Sequence, residues 1–406
     1  MNVRIVKAAV CIGAAALWAL VLSPAQAMEG TVKIGVLDDI SGVYADLAGK
    51  GSVLAARLAI EDFGGKALGH PIELVSADHQ NKPDIGAAIA RRWFDIDKVD
   101  IVVDILNSAV ALAVQQVARE KNRIVIGTSV GAPDFTGKAC MPTSFLCAQD
   151  TYAIATSTAK AVVKQGLDSW FFIGVDYSFG RGLVEDATAA IVASGGKVLG
   201  TVYHPLSEND FSSYLLRAQA SRAKVVAIAS AGQNMSNTVK QAAEFGLTQS
   251  GQRLVALVVN VTDLHSLGLQ SAQGLIFSSP FDADRTDASR TWSKRFLELH
   301  GSMPTLAQAS VYSAVTHYLR AVASSNTDDP RVVAAAMRST PVNDFYAANA
   351  PIRPDGVLEH DMYLMRAKQP AESKGPWDYV ERLEVIPGNK AFRPLAESEC
   401  PLVKDR

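Results

Sequence analysis

The sequence predicts an α/β chain of two lobes, each built around a mainly parallel sheet. Short runs rich in Val and Ile alternate with stretches whose apolar residues recur at helical spacing, and this strand-helix rhythm runs through twice. Three amphipathic helices then follow one another without a strand between them, so they are expected to return and cover the first sheet. The 406 residues, 48% of them hydrophobic, exceed one ordinary core and can fill two.

Taken in order, residues 31–40 form a strand and 44–63 a helix with Leu54, Ala55, Leu58, Ala59 and Ile60 on one face. Residues 70–79 are a second strand, and Pro83 opens a helix where its missing amide does no harm. The apolar runs 101–106 and 123–127 are too short for free-standing helices and read as buried parallel strands. Between them lies a helix with Val110, Ala113, Val114 and Val117 facing inward. A short strand, 144–148, leads through Gln149-Asp150 to a helix over 151–165. The second lobe has strands at 170–175, 197–202, 225–230 and 254–259, helices at 179–194, 211–221 and 234–245, and an extension at 275–278. Consecutive strand residues alternate faces, so Trp170, Phe171 and Phe172 read as core rather than as a stacking platform. The late helices cover 291–300, 306–323 and about 332–337; Arg-Pro-Asp-Gly at 353–356 is a turn, and 362–365 and 380–386 are closing strands.

Residues 1–27 carry Arg4 and Lys7, an apolar run over 8–22 and the Ala25-Gln26-Ala27 pattern of a cleaved secretory leader, so the mature chain is expected to begin near Met28. With 39 basic against 41 acidic residues and no basic stripe, nucleic acid is excluded as a partner. The seven His are scattered without metal-ligand spacing, so no metal and no cofactor is expected, and His360 between Glu359 and Asp361 reads as a polar turn. Past the leader, Cys140, Cys147 and Cys400 allow one bridge and one spare thiol in an oxidising compartment.

The working part is placed between Asp100 and Cys140. Asn107 and Ser108 sit where a strand turns into a helix, and the next strand brings Thr128, Ser129 and Val130 to the same edge. Open parallel sheets bind ligands at such strand ends, and the free amides and positive end of the helix favour an anion. This reads as a cradle for a small carboxylate. The plainer alternative is that Asn107 and Ser108 only cap the helix. Asp176 and Tyr177 end a strand at the edge facing the cleft between lobes, where a ligand is expected. Asp150 starts a helix and is equally well explained as its cap.

The stretches IGVLDDISGVYADLAGKGSVLAARLAIEDF, SADHQNKPDIGAAIARRW, the Asn107-Ser108 pair, APDFTG, DYSFGRGLVEDA and AAEFGL follow in an order that resembles the branched-chain amino acid-binding proteins, the periplasmic substrate-binding proteins of ABC importers. That resemblance implies two Rossmann-like lobes of the periplasmic binding protein-like I kind, joined by three hinge crossings near Gln149-Asp150, Pro280 and 357–361. Residues 28–149 with 281–357 would form one lobe, and 150–280 with 358–406 the other. It further implies a periplasmic monomer that binds a small-molecule carboxylate without a cofactor and works with a membrane permease. Position by position, the carboxylate-binding serine and adjoining amide match Ser108 and Asn107, a second anion loop matches Ser129, Val130 and Gly131, and a tyrosine-lined wall falls on Phe179 and near Ala231. Two departures stand out: Phe179 lacks a hydroxyl, and Asn260 stands where an acid would hold an ammonium, with Asp263 close by. With Tyr44 and Phe179 as walls, they point to an acid without an α-ammonium, aromatic or otherwise apolar at its far end, as in an aromatic-acid-binding branch. The TGKAC loop and CPLVK tail are similar to that branch and imply a Cys140–Cys400 disulfide; Cys140–Cys147 is the rival.

Two other functions share parts of this pattern. A ligand-sensing subunit would use the same fold and cleft. Gly127-Thr128-Ser129-Val130-Gly131 also fits the G-x-S-x-G pattern of a serine hydrolase, but Pro133, Gly137 and Pro142 break up the helix such an elbow needs. The chain is therefore read as a binding protein and not an enzyme.

Overall fold

The computed structural model describes residues 31–247 and 249–404; the leader and its cleavage site lie outside them. The first sheet is wholly parallel, in the order Glu73–Asp78, Lys33–Asp38, Ile101–Asp104, Ile124–Gly127, Ser144–Leu146. Strands Ile101–Asp104 and Ile124–Gly127 are buried throughout, and their alternation sorts the two faces. Ile101, Val103, Ile124 and Ile126 meet helices Gly49–Phe63 and Leu306–Ser325, while Val102 and Val125 meet Pro83–Arg92 and Ser108–Lys121. The late helices thus return to the first sheet. Leu306–Ser325 starts at Thr305, which exchanges capping hydrogen bonds with Gln308. The helix before it begins at Asp287, earlier than the apolar pattern suggests, because Thr286 and Ser289 cap it in the same way.

The second sheet runs Arg253–Ala256, Val225–Ala229, Ser169–Val175, Lys197–His204, again parallel. Trp170 and Phe172 share one face with ring centroids 6.1 Å apart, Phe171 occupies the other, and all three are buried core. Residues 275–278 do not extend this sheet as expected. Instead Ile276–Ser279 pairs antiparallel with Met362–Ala367, which pairs with Val380–Ile386. The partner strand arrives from the end of the chain, and Tyr363, Met365 and Ala367 pack with Phe277 against Val239 and Leu264 of the second lobe.

Leu146, at the end of the first sheet's edge strand, exchanges backbone hydrogen bonds of 2.9 Å with Gly356 and Leu358, so the chain leaving this sheet runs beside residues 356–358. His360 is not a solvated turn residue. It is buried, with Nε2 2.7 Å from the carbonyl oxygen of Ala148 and its ring between Tyr346 and Phe392. Cys140 and Cys400 form a disulfide with Cα atoms 5.6 Å apart. On the way to it, Arg393 pairs with Asp186 of helix Ser178–Ala193 at 2.7 Å, so the tail touches the second lobe before it is bonded to a loop of the first. Cys147 is buried and free, and burial pushes its thiol up to about 12. No helix among the described residues is long and apolar enough to cross a membrane.

Candidate functional site

The carboxyl ends of the two parallel sheets meet over a void of about 20 Å³, room for a single water. Leu47, Leu106, Ile154, Phe179 and Val258 give it apolar walls; Tyr44, Ser129, Gln149 and Tyr177 give it polar ones; Gly131 and Ala231 complete it.

On the first lobe the walls are built by a chain of buried hydrogen bonds. The carboxylate of Asp39 accepts the amides of Gly42 and Tyr44 at 2.8 and 2.9 Å and the side-chain amide of Asn81 at 2.5 Å, which fixes the loop that carries Tyr44. Asn81 Oδ1 accepts from Asn107 Nδ2 at 3.1 Å, and Asn107 Oδ1 accepts the amides of Ala109 and Val110 at 3.0 and 3.2 Å. Asn107 is therefore the cap of the helix, as the plainer reading had it, and two amides expected to face an anion are already taken. Ser108 lies buried behind the void, where its oxygen accepts the Ala132 amide at 3.1 Å and ties the two strand-end loops together. Of the second loop, Ser129 and Gly131 reach the void. Thr128 turns away to donate to the Asp104 carboxylate, and Val130 packs under Gly127 into the core.

Between strand and helix, Asp104 and Ile105 adopt left-handed φ of 81° and 53°, an uncommon state for side-chain-bearing residues. Backbone hydrogen bonds of 3.1 Å from Ile105 to Leu37 and from Thr128 to Asp104 hold the turn, which delivers Leu106 to the void. Beneath it the Asp38 and Asp104 carboxyls are buried against each other. Burial, and then the neighbouring charge, push Asp38 well above the usual carboxylate range, and burial raises Asp104 as well.

On the opposite lobe, the Phe179 ring lies so close to Gly131 that a β-carbon there would sit 2.4 Å from Cδ2 of Phe179. The phenol that Phe179 lacks is supplied two residues earlier by Tyr177, whose hydroxyl lies 2.8 Å from that of Tyr44 across the cleft. A second bridge runs from the Gln233 amide to the Val43 carbonyl at 3.3 Å. The lobes thus meet directly over the void.

Other expected residues stand elsewhere. Asp176 is exposed and paired with Arg181 at 2.6 Å. Asp150 caps its helix by accepting the Ala153 amide at 2.8 Å, and burial raises its carboxyl to about 6. Asn260 caps helix Val261–Leu267 and opens onto a separate cavity of about 570 Å³ beside Phe281, Leu306 and Trp377. Asp263 is committed to the Asn260 amide at 2.8 Å, and burial raises it to about 6. Of the pair expected at the cleft edge, Tyr177 rather than Asp176 lines the void, and one polar lining residue was not singled out from the sequence: Gln149, noted only as a connecting segment. Ser129 is followed by a loop and the short turn Pro133–Phe135, not by the helix of a nucleophile elbow. Among the described residues no group of His, Cys, Asp and Glu is placed to hold a metal ion.

Two parallel α/β lobes that meet at their strand ends over a shared void define a protein that clasps a small ligand between domains. The chain belongs to the periplasmic binding protein family, whose family model matches residues 31–376. It is similar to the crystal structure of a periplasmic binding protein from Burkholderia mallei, with 46% identity, a TM-score of 0.90, and coverage of 92% of this chain and 99% of that one. A branched chain amino acid ABC transporter periplasmic ligand-binding protein from Burkholderia xenovorans is 40% identical, with a TM-score of 0.82 over 92% of this chain and 100% of the other. A Leu/Ile/Val-binding protein homolog 6 from Brucella abortus is 26% identical over 261 residues, 63% of this chain; the match spans only 65% of that relative's length.

Proposed function

We propose that this protein is the periplasmic ligand-binding component of an ABC importer, working with a membrane permease and closing its lobes on a small organic carboxylate with an apolar, aromatic body and no α-ammonium. The observation that carries this reading is the lining of the void: no acidic and no basic side chain is among its residues. An amino acid would bring a second enclosed charge without a partner, at a further cost of several kcal/mol, whereas a simple carboxylate brings one, for which the hydroxyls of Ser129 and of the Tyr44–Tyr177 pair are donors, and a ring meets Leu106, Phe179 and Val258. The void is smaller than any such ligand, so entry requires the lobes to part about their connecting segments and rewrap the guest. Family membership and the likeness to the Burkholderia xenovorans protein support transport as the setting. Calorimetry with benzoate, 4-hydroxybenzoate, a cinnamic acid and leucine tests the reading. Micromolar binding of an aromatic acid is expected; micromolar leucine binding with no response to the aromatic acids overturns it.

A further inference from the structure

Gln149 occupies the first connecting segment between the lobes, with both neighbours pinned. The Ala148 carbonyl faces His360 Nε2 at 2.7 Å, and Asp150 holds the Ala153 amide at 2.8 Å. The side chain between them is 1% exposed and lines the void. Neither its Oε1 nor its Nε2 has a hydrogen-bond partner in the protein. Buried side-chain amides are seldom left so. Among the described residues Gln115, Asn234 and Gln252 each leave a carbonyl oxygen unpaired but use their nitrogen, on Phe135, on Glu208, and on Ala218 and Ala223 respectively. Gln149 leaves both ends open, and both belong to a side chain that borders the ligand void.

We infer that Gln149 is a specificity-determining residue that reads a hydroxyl on the ligand, so that the preferred guest is a hydroxylated carboxylate rather than the plain acid. A carboxylate oxygen only accepts: it satisfies the Nε2 hydrogens and leaves Oε1 facing negative charge. A hydroxyl accepts from Nε2 or donates to Oε1, and one hydroxyl with a neighbouring acceptor satisfies both. Sites built to pair a buried polar group discriminate strongly against analogues that lack its partner, because the protein's own group is then left unpaired. Tyr44 and Tyr177 already bond to each other, which leaves Gln149 the polar lining group in greatest need of a partner.

This inference rests on the carboxylate reading above, and two ligand pairs that differ by one hydroxyl separate the two: benzoate with 4-hydroxybenzoate, and 4-methylpentanoate with 2-hydroxy-4-methylpentanoate. Their dissociation constants are measured by calorimetry on the wild type, on Gln149→Met, which keeps the length and removes the hydrogen bonds, and on Gln149→Asn, which keeps the amide but withdraws it. The hydroxylated member of at least one pair is expected to bind the wild type tenfold or more tightly than its parent. In Gln149→Met the ratio between the members of that pair falls to within twofold, and Gln149→Asn lies between. Acids that bind with no hydroxyl preference in the wild type, or a preference that survives in Gln149→Met, overturn the assignment of Gln149 while the carboxylate reading stands. Should neither these four acids nor the cinnamic acid bind the wild type, the carboxylate reading falls and this inference falls with it. The wild-type comparison needs no variant to fold.

Discussion

Removing the Cys140–Cys400 bond tests whether the tail stabilises the molecule through the unfolded chain. The bond links residues separated by 260 positions, and in the chain-entropy account closing so long a loop withholds about 5.5 kcal/mol of freedom from the denatured state. On the folded side little else holds the tail end. Lys138 and Glu399 are 3.6 Å apart but both largely exposed, a pair worth well under about 1 kcal/mol. Both cysteines are buried, so alanine is the substitution that adds no unpaired hydroxyl. Urea unfolding of the Cys140→Ala/Cys400→Ala protein is expected to show a loss of about 3–5 kcal/mol, less than the full entropic figure because denatured chains retain some structure. Wild type treated with reductant should shift by the same amount. Cys147→Ala should respond to reductant as the wild type does. A difference below about 1 kcal/mol between oxidised and reduced wild type would refute the entropic argument, because a loop of this length cannot be closed at so small a cost.

Two further perturbations address closure and pH. Gly232 has φ 57°, and a β-carbon there would sit 2.5 Å from the Val43 backbone oxygen on the other lobe; Gly232→Ala therefore costs about 1 kcal/mol of backbone strain in any state and collides only when the lobes meet. The variant should lose tenfold or more in affinity and keep its ligand-free scattering radius when ligand is added; a radius that contracts as in the wild type rejects the clash. Asp38 has its carboxyl raised by burial and by Asp104, so the folded chain keeps a proton that the unfolded chain releases, and this contribution to stability falls as pH rises from the ordinary carboxylate range through the raised value. Buried His79, lowered to about 4, acts in the opposite sense, losing stability as pH falls from the ordinary imidazole value towards 4. Asp38→Asn, which cannot lose the proton, should gain on the wild type in urea midpoint as pH rises above the ordinary carboxylate range; parallel profiles would show that Asp38 is not raised in the fold.

The strands and helices of both lobes were legible because strand and helix bury different periodicities, and the return of the late helices followed from their having no sheet of their own. The third sheet was not legible, since Ile276–Ser279 pairs with a strand that appears only near the chain end. Asn107 shows a limit of another kind: a cap and an anion ligand call for the same residue type at the same place, and only its bonds to Ala109, Val110 and Asn81 decide for the cap. The family resemblance placed Phe179 on the opposite wall, and the strand end placed Tyr177 at the cleft edge, but neither showed that the phenol of Tyr177 meets Tyr44 across the lobes. Gln149 carries no local signal at all. Its burial is created by two sheets meeting, and its unpaired amide is visible only in three dimensions.

The third thiol has a bearing on biogenesis. In the finished fold Cys147 is sealed, and a thiol held near 12 offers almost no thiolate for exchange. Before the fold closes it is ordinary and reactive. Cys140 and Cys147 stand close together in the chain, whereas Cys400 lies 260 residues beyond Cys140. Short loops close at less entropic cost than long ones, so in the open chain the two neighbouring cysteines are expected to pair first, around residues 144–146, the edge strand of the first sheet. From that pairing the native Cys140–Cys400 bond is reached by thiol–disulfide exchange, so whether the sheet edge or the tail is secured first depends on which pair oxidises first.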